Sequence, residues 1–373
     1  MAAETTRPAA PALLPWLERP LADALRSQQG HALLLDGPPG IGTFELAMAL
    51  ASAWLCEASP ADAPVPACGH CAGCHLIAAR SHPDLLVLVP EALADELGWG
   101  GEGAEGDEAP RTAKGGKAAK SGKAKPSKDI KVEAVRAANT FAQTTAARGR
   151  GKVVVAYPAE RINAIAANAL LKTLEEPPGN ARFLLGATDA ARLLPTVRSR
   201  CHAVAVQAPD AEAAASWLRG EGVAEPAVLL AAAGGQPLDA LTWSREGMDG
   251  NSWRELPVRL ARGDAQALAA WTVPRAVDAL QKLCHDLMRR AAGAPPRYFP
   301  AQALAGTADL GSLAVWAAAL RRHASQAEHP WNAPLMLDAL ALQARHALLA
   351  NPAATRGQNS ARDEPAASLH SRR

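Results

Sequence analysis

Two rhythms of apolar residues alternate along the first half of the chain. Continuous apolar runs rich in Leu and Val stand at 31–35, 85–89, 153–156 and 183–188. Because they do not alternate with polar residues, they predict strands covered on both faces, as in a parallel sheet. Between them the apolar positions recur at helical spacing. Leu17, Leu21 and Leu25 mark a helix that Gly30 ends, with Pro20 as its predicted start. Val132, Val135 and Phe141 open another, and a third runs from Ile162 to Leu174 until Pro177-Pro178 stops it. The strand, helix and strand across 153–188 have the length of one right-handed crossover unit. Pro83 holds His82 extended at the entrance to the strand at 85–89.

After Pro209 the strand signal ends. Asp210 is a predicted N-cap for a helix over 211–218, and further helical segments follow at 225–233 and 236–245. A Gly-bounded linker at 247–250 precedes helical periodicity over 253–350, broken at 271–275, where Pro274 suits the first turn of the next helix. Apolar stripes at 276–288 and 313–323 belong to a core or a subunit interface.

At 373 residues, two or three domains are expected. Hydrophobic residues make up 49% and charged residues 20%, the balance of a globular protein with ample core. The net charge of +2 gives no support to strong non-specific nucleic-acid binding by the chain as a whole. No run is long enough to span a membrane and the N-terminus lacks a signal-peptide pattern, so a cytoplasmic protein with reduced thiols is expected.

Gly37, Gly40 and Gly42 lie between the first strand and a helix, the location of a phosphate-binding loop. A working loop ends in Lys, which reaches the β- and γ-phosphates, and Ser or Thr, which holds Mg²⁺. Here Thr43 and Phe44 stand at those two positions, so neither function is present. The glycines leave two readings, a relic turn or a weak anion cradle.

Cys56, Cys68, Cys71 and Cys74 have the composition and spacing of a four-thiolate zinc site. Such a site has no open position, so its zinc is structural. Disulfides or unliganded core thiols are the alternatives, and His70 and His75 are the nearby substitute ligands. Residues 91–128 break the pattern: seven acidic residues between Glu91 and Glu108 are followed by lysines spaced by Ala, Gly and Ser. This low-complexity stretch reads as a surface insertion, either simply solvated or brushing DNA phosphates.

The sequence NALLKTLEEPP beginning at Asn168, then FLLGATD from Phe183 and SRC at Ser199, Arg200 and Cys201, resembles the core of bacterial DNA polymerase III clamp-loader subunits. These are AAA+ proteins that open a ring-shaped sliding clamp and load it onto primed DNA. The resemblance covers roughly 14–350 outside the insertion. It implies an α/β AAA+ domain with a parallel sheet over 13–207, carrying a zinc module at 54–76 in which the gap before Cys68 is longer than usual. A three-helix lid at 208–247 and an all-α collar at 251–350 complete the expectation, with disordered ends at 1–12 and 351–373.

In active relatives the strand at 153–156 ends in Asp-Glu, which serves Mg²⁺ and the attacking water; here Tyr157 and Pro158 stand there. Leu238 replaces a nucleotide-sensing Arg. The SRC Arg of such subunits projects toward ATP held by the neighbouring subunit, so Arg200 is the candidate arginine finger, against the alternative of an ordinary surface or ion-paired Arg. Arg198 is a nearby decoy, and Cys201 is expected to be a small packing residue. A lost ATP site beside a retained finger resembles the non-hydrolysing delta-prime type rather than the tau/gamma motors. The implied setting is a hetero-pentamer with tau/gamma and delta subunits, in which ATP is bound by the neighbouring subunit and not by this chain. No independent enzymatic activity is implied, since DNA-directed DNA polymerase (nucleotidyltransferase) chemistry belongs to the holoenzyme. The rivals are an ATP-hydrolysing tau/gamma-like subunit and a free-standing zinc-ribbon nucleic-acid binder.

Overall fold

The computed structural model describes residues 13–27, 30–60, 63–99, 126–304, 309–326 and 331–349. The expected disordered ends and the stretch 100–125 of the low-complexity insertion lie outside the described residues. The chain divides into two units, Met1–Pro209 and Asp210–Arg373.

In the first unit a 3-10 turn at Pro15–Leu17 leads into α1 (Glu18–Arg26). It is followed by β1 (Ala32–Asp36), α2 (Thr43–Leu55), α3 (Ala72–Ala78), β2 (Leu85–Leu88), α4 (Glu91–Ala94), α5 (Val132–Gln143), β3 (Val153–Ala156), α6 (Ala164–Glu175), β4 (Arg182–Ala187), α7 (Pro195–Arg198) and β5 (His202–Ala205). Helix α1 starts at Glu18, ahead of Pro20, because the N–H groups of a first turn have no intrahelical partner for proline to remove. The five strands are all parallel, in the order β2-β3-β4-β1-β5.

Strand β4 shows why an unalternating run was needed. Phe183, Leu185 and Ala187 face a core built with Val135 and Ala138 of α5 and Leu170 and Leu174 of α6. Leu184 is also fully buried, on the other side of the strand, and Gly186 there lies against Thr43 and Tyr157. Strand β5 was not expected. It is a short, largely exposed edge, paired with β1 from Leu33↔His202 to Asp36↔Ala205, and its apolar run at 203–206 is short and half alanine, a weak strand signal directly after the SRC segment. The flanks of the insertion are ordered: the first turn after Pro90 is helical, and Glu91 is bonded to the Ser127 N–H and paired with Lys131.

The second unit contains α8 (Ala211–Gly220), α9 (Pro226–Ala232), α10 (Pro237–Arg245), α11 (Gly250–Ala261), α12 (Val273–Ala291), α13 (Leu310–Ser325) and α14 (Ala333–Leu349). One hydrophobic core runs through all seven. Trp253 lies at its centre, stacked on Phe299 at 4.4 Å and close to Trp243 and Trp271, and its indole N–H donates to the Tyr298 carbonyl at 3.0 Å. Asp286, fully buried on α12, accepts the N–H groups of Arg297, Tyr298 and Phe299 at 2.7–2.8 Å. That carboxylate pins the 297–299 segment against the helix. Thr272 caps α12 and Pro274 occupies its first turn.

Candidate functional site

Three places on the first unit carry most of the residues singled out by sequence; Leu238 is instead on α10 of the second unit. The first is the loop between β1 and α2. Gly37 packs so close to β5 that a Cβ there would stand 2.7 Å from the Val206 carbonyl oxygen. Gly42 caps α2 at φ +100, and a Cβ there would meet Leu14 and Leu17 at under 3 Å. The loop is thus closed over by the N-terminal turn, and the Trp16 indole donates to the Ile41 carbonyl at 2.7 Å. Thr43 and Phe44 are buried. The Phe44 ring packs on Tyr157 with centroids 5.4 Å apart. Tyr157 itself leans over Gly186, where a Cβ would lie 2.9 Å from the ring. The two positions that would serve Mg²⁺, one on α2 and one after β3, are therefore joined by an aromatic contact. Glu45 in the first turn adds a carboxyl whose pKa burial pushes up. Glu45 and the Phe44–Tyr157 contact were missed by sequence; the contact depends on how α2 sits on β3 and β4, which no local pattern announces.

The second place is the cysteine cluster. Cys56 caps the C-terminus of α2, and Cys71 caps the N-terminus of α3, its sulfur accepting the Cys74 N–H. The second Cys-x-x-Cys step thus opens a helix rather than forming a simple turn. The four Sγ atoms all lie within 4.8 Å of one another, with Cys56–Cys71 at 3.9 Å and Cys68–Cys74 at 4.0 Å. A tetrahedron with metal–sulfur bonds of about 2.3 Å has edges of about 3.8 Å, so the set fits a single four-coordinate ion. Backbone N–H groups of Cys68 and Cys71 point at the sulfurs of Cys56 and Cys68. Burial opposes the Cys71 thiolate, but the N–H groups of Cys74 and Glu57 outweigh it and bring its pKa down to about 6. Cys74 moves up, first through burial and then through the bond it shares with Cys71. The long gap after Cys56 is folded back on itself by Ser59, which exchanges hydrogen bonds with Val65. His70 and His75 are exposed and outside the cluster.

The cluster is braced by residues that sequence did not flag. Asp84, fully buried, accepts the N–H groups of Ala147 and Arg148, both at 2.8 Å, and pairs with buried Lys152 at 3.0 Å. Arg148 in turn pairs with Glu57, next to Cys56. The Asp84 N–H donates to His82 Nδ1, which fixes the ring proton on Nε2, buried near Gly73 between the ligands. Burial lowers the His82 pKa.

The third place is the SRC segment. Short helix α7 ends at Arg198, and Ser199 donates its hydroxyl to the Thr196 carbonyl. Arg200 is bound on two sides. Its Nε donates to Glu175 Oε1 at 2.6 Å and Nη2 pairs with the same oxygen, while Nη1 donates to the Thr196 carbonyl at 2.8 Å. Arg198 is exposed. Cys201 is half-buried against the sheet core, and burial raises its thiol pKa to about 11.

The topology separates the first place from the third. The glycine loop follows the C-terminal end of β1, whereas the SRC segment precedes the N-terminal end of β5, and these two strands are parallel neighbours. They lie at opposite ends of the sheet, about 13 Å apart along a strand of this length. Arg200 is not aimed at the chain's own glycine loop.

Comparison with known proteins places the chain in a family. The family model described as "DNA polymerase III, delta subunit" matches residues 5–210. The DNA polymerase III subunit delta' of Pseudomonas aeruginosa is 41% identical over 219 residues, 58% of this chain and 56% of that protein. The subunit of the same name from Haemophilus influenzae is 35% identical, with 63% of each chain covered. The Escherichia coli subunit delta' is 31% identical over 290 residues, 72% of this chain and 76% of its own. The chain thus spans less than two thirds of the length of the first two relatives and about three quarters of the third. It belongs to the DNA polymerase III delta-prime family.

Proposed function

We propose that the chain is the non-hydrolysing stator of a DNA polymerase III clamp loader. In this reading Arg200 completes an ATP site on an adjacent tau/gamma ATPase subunit while the sliding clamp is loaded onto primed DNA. The observation that carries it is the separation just described. The chain's own glycine loop is filled by Thr43, Phe44 and Tyr157, and Arg200 lies at the other end of the sheet. A guanidinium that cannot serve its own loop and stays near the surface suits action on a neighbour's phosphates. An arginine finger supplied in trans is typically worth ~10³-fold or more in GTPase systems.

Family membership and the chemistry of the cysteine cluster support the rest of this reading. Cys56, Cys68, Cys71 and Cys74 hold a structural zinc ion, which supplies a closed cross-link with no position for substrate. The second unit supplies the lid and the collar through which tau/gamma and delta subunits assemble in a hetero-pentamer. DNA and the clamp are engaged through the complex, in the cytoplasm. The chain contributes to the DNA polymerase holoenzyme without a nucleotidyl-transfer step of its own.

The test is clamp- and primed-DNA-stimulated ATP turnover in a reconstituted loader containing either the wild type or Arg200→Ala. Turnover should fall while the complex still assembles, and the isolated chain should not bind Mg-ATP. Unchanged turnover removes the finger and leaves a scaffold. Tight Mg-ATP binding by the isolated chain would favour the motor alternative.

A further inference from the structure

We propose that Glu175 is the positioning residue for Arg200; this rests on the arginine-finger reading above. Glu175 is the last residue of α6, and Glu176-Pro177 ends the helix directly after it. Pro177 restricts the residue before it, so the carboxylate stands on a defined helix terminus rather than on a loose loop. Helix α6 finishes at the end of the sheet where β4 begins, and the SRC segment enters β5 at that same end. That placement lets two residues 25 apart in sequence meet.

The mode of contact is the informative part. A guanidinium offers five N–H bonds in a fixed plane. Glu175 takes the Nε edge together with one Nη2 N–H, and Thr196 takes Nη1 from another side, with the Ser199 hydroxyl 3.4 Å away. The second Nη2 N–H has no partner among the described residues. The plane of the fork is thereby fixed while a donor is left for an incoming anion. An unheld arginine samples many rotamers, and that freedom would be lost each time it engaged a phosphate. The carboxylate removes the freedom beforehand. Glu176, the next residue, is also exposed and makes no hydrogen bond or ion pair with Arg200, which makes it the natural control.

The experiment uses the reconstituted loader with tau/gamma and delta subunits, and reads clamp- and primed-DNA-stimulated ATP turnover. The variants of this chain are Glu175→Gln, Glu175→Asp, Glu176→Gln, Arg200→Ala and the double variant Glu175→Gln/Arg200→Ala. We expect Glu175→Gln to lower kcat by at least about half of the loss caused by Arg200→Ala, with KM for ATP unchanged. Glu175→Asp should recover part of it, Glu176→Gln should match wild type, and the double variant should fall no lower than Arg200→Ala alone. Assembly and melting temperature should be unaffected. If Arg200→Ala is impaired while Glu175→Gln turns over at or above the wild-type rate, the positioning role is wrong and the finger reading survives. If Arg200→Ala itself matches wild type, the finger reading fails and this inference fails with it.

Discussion

Helix α2 carries a glycine loop filled by side chains at one end and a cluster of four thiols at the other. At its N-terminus the residues that would meet phosphate and Mg²⁺ are Thr43 and Phe44, both buried and packed. At its C-terminus Cys56 joins three other thiols within tetrahedral distance. The helix spans 13 residues, so both ends share one scaffold and one core. The contrast teaches which parts of a site a fold depends on. A phosphate loop binds its ligand from outside the core, so side chains can fill it and the sheet still forms. If four thiols on two helix ends and a loop hold a metal, as proposed above, they are themselves the cross-link, and nothing apolar would replace them.

The sharpest way to break this contrast is at the C-terminal end. Stripping the metal with a strong chelator, or replacing Cys74 by Ser, should release the 56–78 segment and cost on the order of 5 kcal/mol, since a structural metal site contributes its binding energy directly to folding. Elemental analysis before treatment should give one zinc per chain, and the denaturant midpoint should fall after it. A chain that keeps its midpoint without metal would place both ends of α2 in the same class.

The next effect is smaller and tests what braces the thiol end. Asp84→Asn removes the charge that compensates buried Lys152 and weakens the cradle for the 147–148 backbone. Leaving a buried charge unpaired typically costs about 3–5 kcal/mol. The pH dependence has a definite sign. Burial raises the Asp84 pKa, but the Ala147 N–H, Lys152 and the Arg148 N–H outweigh it and hold the native carboxyl below its ordinary value. The stabilisation is therefore present above the unfolded pKa of about 3.9 and is lost as pH falls through the lower native value. Urea midpoints of wild type and Asp84→Asn should differ fully at neutral pH and converge in acid. A difference that persists in strong acid would assign the effect to packing instead.

How much of this was legible beforehand depended on where each residue's partner sat. Strands β1 to β4 were visible because each carries a continuous run rich in Leu, Val or Phe, such as Val153–Ala156, and this held even for β2 at the sheet edge. Strand β5, at the other edge, was not, because His202–Ala205 offers one valine between two alanines and gives a weak strand signal. The cysteine cluster was visible because its chemistry is written in residue type and spacing. Its braces were not: Asp84 and Lys152 are 68 positions apart, and in a sequence each looks like an ordinary surface charge. Asp286, pinning three backbone N–H groups in the second unit, was hidden for the same reason. Arg200 was singled out by its motif, but its tie to Glu175 required the sheet order.

The smallest expected effect lies at the N-terminal end of α2, and it separates two histories of the loop. If two substitutions alone silenced a competent cradle, Thr43→Lys with Phe44→Thr should restore Mg-ATP binding. We expect no measurable binding by calorimetry. The new lysine would enter a site where Thr43 is almost wholly buried and where the N-terminal turn packs on Gly42. Its neighbour Glu45 carries a carboxyl held close to the loop, the wrong group to set beside phosphates. Tyr157 would still stand over Gly186, and the positions directly after β3 would still be Tyr157 and Pro158, with the nearby Glu160 carboxylate occupied by Thr188. Adding Tyr157→Asp tests that last point, because it supplies the carboxylate and removes the ring together. Binding that appears only in the triple variant would locate the block in the aromatic contact. Binding already present in the double variant would mean that the cradle had stayed intact, and that the two ends of α2 differ in residue type alone.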